Sequence, residues 1–229
     1  MIKKSLIAVI ACVIIVSIFL IPHDSGISIQ KKVLGSDNTG NVTKITYSYK
    51  NSPDRKIAIV SGMHPRETLS KNVSQEAVMN YAQANKVNIV NYVVNVNENM
   101  DYVRSGRNKG EYLVANYVIP DVIKSNYDLV IICHDHKKGY GDGLFYVATP
   151  TMDSKSLAMA EKFRQISPEY KYFQRDPDKI AKSTSISRVD KPITDSGTPV
   201  FVYETPEWYG HDDAYNEVLK LIDTAYKVP

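Results

Sequence analysis

Ile57-Ala58-Ile59-Val60-Ser61-Gly62-Met63-His64-Pro65-Arg66-Glu67 carries an apolar, β-branched run straight into a His-x-x-Glu turn. A continuous apolar run of this length reads as a strand buried on both faces, in a sheet covered by helices on either side. At its end an imidazole and a carboxylate share one short turn. Both are zinc-ligating groups, and a catalytic zinc needs three protein ligands with one position left open. The four-residue motif has only two fixed positions, and Glu67 also suits the positive end of a following helix. Its weight comes from two later segments, Asp128-Leu129-Val130-Ile131-Ile132-Cys133-His134 and Val202-Tyr203-Glu204, which offer a third ligand and a base.

Working outward, residues 42–49 alternate in the β manner, and 56–60, 87–96, 128–133 and 199–203 are strand-length β-branched runs. Residues 27–34 are a further candidate strand. Helical spacing marks 69–84, 111–125, 152–166 and 212–226, with Pro120 expected to kink or end the second. Strands alternating with helices predict an α/β protein: a three-layer α/β/α domain on a mostly parallel, mixed sheet. Ligands in such sheets collect at the carboxyl ends of the strands. His64, His134 and Glu204 all fall there.

Residues 1–22 hold Lys3 and Lys4, then a charge-free apolar run closed by Pro22. This predicts a signal anchor or transmembrane helix, with a cleaved signal peptide as the alternative. A stalk over 23–41 and a catalytic domain over 42–229 follow. The positive start implies an extracytoplasmic domain on a single-pass membrane protein, or a secreted one if the segment is removed. The formal charge is +3, and Lys3 and Lys4 supply two of it, so nucleic acid is not an expected partner. There are two cysteines, Cys12 in the apolar run and Cys133 in a core strand, and no disulfide is expected. Asn41-Val42-Thr43 and Asn72-Val73-Ser74 match the N-glycosylation pattern.

Several side chains compete for each role. His134 and His136 lie two apart and point the same way in an extended segment, and only one need bind a metal. Cys133 points to the opposite side. Glu204 is the candidate general base, with Glu207 nearby. Asp101-Tyr102-Val103-Arg104-Ser105-Gly106-Arg107-Asn108 reads as a cationic loop. Arg107 is the first choice for holding a substrate carboxylate, with Arg104 and Asn108 beside it. Residues 139–143 read as a flexible loop without a phosphate-binding pattern. Arg175, Arg188 and residues 183–187 are pocket wall or plain loop.

Together, His64-x-x-Glu67, the Asp128-Leu129…His134 strand end and the Gly197-Thr198-Pro199…Glu204 strand end resemble the zinc carboxypeptidase superfamily. That group includes the aspartoacylase and succinylglutamate desuccinylase branch. The resemblance runs from about Lys56 to the C-terminus. It implies a zinc ion held by His64, Glu67 and His134, selecting His134 over His136. It also implies Glu204 as the catalytic carboxylate and Arg107-Asn108 as a substrate-carboxylate site. The Asn-Arg order of the family is reversed here, the interval from Glu67 to His134 is short, and residues 182–197 contain no tyrosine. The expectation is a membrane-anchored zinc metallopeptidase of the carboxypeptidase type, acting on a peptide or acylated amino acid, with cell-wall peptides as one source. An N-acyl amino acid deacylase and a catalytically inactive binding module are the alternatives.

Overall fold

The computed structural model describes residues 26–97, 103–180 and 182–228. In chain order the strands are β1 (Ile27–Asp37), β2 (Gly40–Tyr49), β3 (Ile57–Ser61), β4 (Ile89–Val96), β5 (Leu129–His136), β6 (Tyr146–Thr149), β7 (Lys171–Gln174) and β8 (Val200–Pro206). The α-helices are α1 (Thr68–Asn85), α2 (Val103–Leu113), α3 (Ile119–Ser125), α4 (Ser154–Ile166), α5 (Pro177–Ile180), α6 (Lys191–Asp195) and α7 (His211–Lys227). Two π-helical turns, Val114–Val118 and Ile186–Asp190, lie directly before α3 and α6.

All eight strands form one sheet in the order β1-β2-β4-β3-β5-β8-β6-β7. The centre, β4-β3-β5-β8, is parallel, and β2 and β6 flank it antiparallel. The central strands are buried on both faces because their side chains alternate between two cores. Ile57, Ile59, Leu129, Ile131 and Phe201 meet α1, α4 and α7, contributed by Val73, Ala77, Phe163, Val218 and Leu221. Ala58, Val60, Val130, Ile132 and Val200 meet the other layer, contributed by Leu113, Val118, Val122, Val189 and Ile193. Each fully buried aliphatic side chain contributes roughly 1.5–3 kcal/mol, so these two cores dominate the stability. The expected three-layer architecture on a mixed sheet is what the chain adopts.

The membrane part of the expectation is corrected. Residues 1–22 lie outside the described residues, and among the described residues no helix is long and apolar enough to cross a membrane. The transmembrane helix, the membrane partner and the single-pass, extracytoplasmic location expected from residues 1–22 find no support among the described residues.

Two local differences matter for the site. Residues 103–108, expected as part of a loop, are helical. Pro120 does not break this run: it occupies the first turn of α3, where a missing N–H is tolerated, and the preceding turn widens to π geometry. Within the segment expected as a stalk, β1 pairs along β2 as an edge strand of the sheet.

α2 reaches the sheet edge at backbone contact. A Cβ on Gly110 would lie 1.5 Å from the carbonyl oxygen of Met63, the residue before His64. Gly62, at φ +79, makes the turn out of β3 with its Cα facing the Val94 carbonyl. Gly110→Ala is expected to destabilise the protein by about 1–3 kcal/mol or more. It should also weaken metal binding at His64. Urea unfolding together with zinc titration checks both effects.

Candidate metal centre

The turn after β3 delivers His64 and Glu67, and the end of β5 delivers His134. Among the described residues these three form a cluster able to hold a metal ion, with ligand atoms all within 4.8 Å of one another. His64 Nδ1 lies 2.8 Å from Glu67 Oε1 and His134 Nδ1 lies 2.6 Å from Glu67 Oε2. The two imidazoles stack at 4.6 Å between centroids. Two imidazole nitrogens and one carboxylate oxygen, converging on one point at the edge of a cleft, suit a three-ligand zinc site with an open position.

Glu67 is free for this because it does not cap α1. It occupies the N-cap position with no side-chain cap hydrogen bond. Asp135 on β5 does that work instead, accepting from the backbone N–H groups of Leu69 at 3.0 Å and Ser70 at 2.8 Å. The Glu67 carboxylate is driven below its ordinary range: burial opposes ionisation, but His134 and His64 outweigh it. The reciprocal effect acts on His134. Burial disfavours its charge, Glu67 more than compensates, and its pKa is raised to about 9.

Behind His64 stands Glu111 of α2, which is fully buried. Its Oε1 accepts from Ser185 Oγ at 2.8 Å and Thr184 Oγ1 at 2.9 Å, and its Oε2 accepts from Arg188 Nη1 at 3.0 Å. His64 Nε2 faces this group, 3.5 Å from Ser185 Oγ and 3.8 Å from Glu111 Oε1. Burial works against the Glu111 charge, but contacts with His64, Ser185 and Thr184 hold its pKa at about 2. A carboxylate behind a ligating imidazole fixes its tautomer and orientation.

Glu204 sits on β8 directly opposite His134 in the parallel register, so the two share a face. Burial raises its pKa to about 7; His134 and Arg107 pull it down, while Glu67 and Asp135 push it up. Arg107, half-exposed on α2, places Nη1 3.2 Å from Glu67 Oε1. A cleft of about 740 Å³ is lined by His64, Glu67, His134, Arg107, Glu204 and Asp190, among others. Asn108 is exposed and does not line it. Arg104 lies on α2, and its side chain is outside the described residues. Arg175 and Ser185 are pocket wall; Arg188 is held by Glu111.

His136 is not part of the cluster. Its ring nitrogens face the carbonyl oxygens of Leu144 and Lys137, and the ring packs edge-on to Trp208. Cys133 points to the opposite core, where burial lifts its thiol to about 12. Three residues of the site went unread in the sequence. Glu111 lies one helical turn after Arg107, a visible signal once 103–110 is taken as helix. Asp190 stands on the apolar stripe Ile186, Val189, Ile193. Tyr146 faces Glu204 across the β6–β8 ladder and lines the cleft, but its strand is only four residues long.

No sequence family and no curated protein matches this chain. Solved structures do. A metallo-carboxypeptidase from Burkholderia cenocepacia aligns with TM-score 0.57 at 11% identity, over 91% of this chain and 65% of that one. The fold is that of the zinc carboxypeptidases. A metallo-carboxypeptidase from Pseudomonas aeruginosa gives 0.57 at 12% identity, over 89% and 64%. A variant of the cell shape determinant protein Csd4 from Helicobacter pylori gives 0.53 at 12%, over 81% and 55%. This chain thus spans less than two thirds of the length of each of these carboxypeptidase-like structures.

Two outcomes are expected from the charge pattern. At pH 8 the metal-free protein carries a proton on His134 that a ligating nitrogen must lose. Zinc uptake should therefore release about one proton per ion, diminishing as pH rises past 9. A pH-stat titration measures it. Glu111→Gln should keep the fold and weaken zinc affinity about 10–100-fold, read by chelator competition.

Proposed function

We propose that the protein is a zinc-dependent hydrolase of the carboxypeptidase type, cleaving a peptide bond next to a free terminal carboxylate. The observation that carries this reading is the placement of Glu204, with a pKa near neutrality, directly across the β5–β8 register from the His64, Glu67 and His134 ligand set. A general base works best with a pKa near the operating pH.

His64, Glu67 and His134 are the residues that would hold the ion. When bound, zinc supplies a Lewis acid for the scissile carbonyl and acidifies water. Glu204 accepts a proton from the attacking water as its oxygen adds to the carbonyl carbon. The same carboxyl then donates that proton to the departing amine nitrogen as the C–N bond breaks, which returns Glu204 to its starting charge. Arg107 offers a planar guanidinium at the cleft wall for the substrate carboxylate. With Glu67 among the residues that would hold the ion, the Arg107 guanidinium, which bonds Glu67 Oε1, would be released to the substrate carboxylate. Glu111, through Ser185, keeps His64 presenting Nδ1.

Glu204→Gln is expected to lower kcat by a factor on the order of 10²–10⁴ while leaving bound zinc near one per chain. His64→Ala should lose the metal itself. Elemental analysis and hydrolysis of a blocked dipeptide panel check both. Full activity in the glutamine variant would sink the reading. Cleavage of acylated amino acids alone would favour the deacylase alternative. Zinc binding without turnover of either class would favour the binding module.

A further inference from the structure

The guanidinium of Arg107 rests on a residue of the ligand cluster. Its Nη1 lies 3.2 Å from Glu67 Oε1, the oxygen that also faces His64 Nδ1 at 2.8 Å. The other oxygen, Oε2, faces His134 Nδ1. The Arg107 side chain is 43% exposed and that of Glu67 only 14%, so a shielded anion is held by a cation that reaches solvent. The helix that carries Arg107 cannot retreat. Three residues on, Gly110 is pressed onto the Met63 carbonyl, and Glu111 is held by Ser185, Thr184 and Arg188. Separation of the pair is therefore a movement of the Arg107 side chain alone, which its exposure permits.

Glu67 is also one of the three residues suited to hold an ion. A dication on that carboxylate and a guanidinium beside it repel one another, and a partly shielded cleft screens this less than open water does. Removing the guanidinium, or giving it another anion, relieves the repulsion. Two ligands that favour the same side-chain arrangement raise one another's affinity by the same factor. We propose that Arg107 is an interlock between metal and substrate: held on Glu67 it competes with the ion and is withheld from carboxylates, so zinc and a substrate carboxylate bind cooperatively through it. This deepens the hydrolase reading and rests on its ligand set, but not on turnover.

The test measures zinc affinity of the full chain at neutral pH by chelator competition, with and without saturating N-acetylglycine. In the wild type the carboxylate should tighten zinc binding at least about fivefold, and calorimetry should find N-acetylglycine bound more tightly by the zinc-loaded protein than by the metal-free one by the same factor. Without carboxylate, Arg107→Gln should bind zinc several-fold more tightly than the wild type, and N-acetylglycine should add nothing further. Arg107→Met, which lacks the charge but keeps an apolar stem, should reproduce both effects. Arg66→Gln removes a cation that lines the same cleft and should leave zinc affinity unchanged. A wild-type enhancement near one overturns the proposal with no variant needed. So does an enhancement that survives in both Arg107 variants, because the carboxylate then acts on the ion directly. Equal tightening by Arg66→Gln overturns it as well, assigning the effect to the field of the cleft instead of the contact with Glu67. A wild-type protein that takes up no zinc fails the ligand set, and the hydrolase reading falls with the interlock. Zinc uptake without these effects fails the interlock alone.

Discussion

The backbone N–H groups of Leu69 and Ser70 end on the carboxylate of Asp135, and the rest of the centre depends on that substitution. A helix start needs an acceptor for its unpaired donors. Glu67 occupies the position where that acceptor usually resides, yet its carboxylate is turned away towards His64 and His134. Asp135 can replace it because it follows His134 in β5. Alternation then sends one side chain to α1 and the other to the ligand cluster. One dipeptide on one strand thus ties the turn after β3 to the end of β5.

The site concentrates buried acids with opposite fates. Glu67 and Glu111 are surrounded by donors and stay ionised well below the usual carboxylate range. Glu204 and Asp190 have few bonded partners, and burial lifts both to about 7. Divergence of this kind among neighbouring carboxyls separates groups that hold from groups that exchange protons or wait for a partner. The architecture creates it: α2 brings Gly110 onto the Met63 backbone and seats Glu111 behind His64, while β8 only sets Glu204 alongside.

Much of this was legible in the sequence. Strands 57–60, 128–133 and 199–203 announce themselves because a strand buried on both faces leaves an unbroken apolar run. The ligand turn and both later strand ends follow from where those runs stop. What stayed hidden has physical reasons. β6 and β7 are four residues each, too short for alternation to register. The start of α2 is polar and contains Gly106 and Gly110, so it reads as loop, although the second glycine is there for a close backbone approach. His134 and His136 share a face, and spacing alone leaves them equivalent. Packing separates them, through the Leu144 and Lys137 carbonyls and the Trp208 ring.

The two π turns have a consequence for how this chain tolerates change. A π turn is an α-helical turn carrying one residue more than the ladder needs. Each residue of an α-helix advances about 100° around the axis. Loss of a single residue from Ile186–Asp190 would let the ladder close as ordinary α-helix. Everything on one side of it would then swing by about a quarter turn relative to the other. Ser185 and Asp190, at opposite ends of that turn, could not both keep facing the cleft. Substitutions there alter one side chain at a time, whereas a one-codon deletion would dismantle the wall behind His64 and the floor beside His134 together.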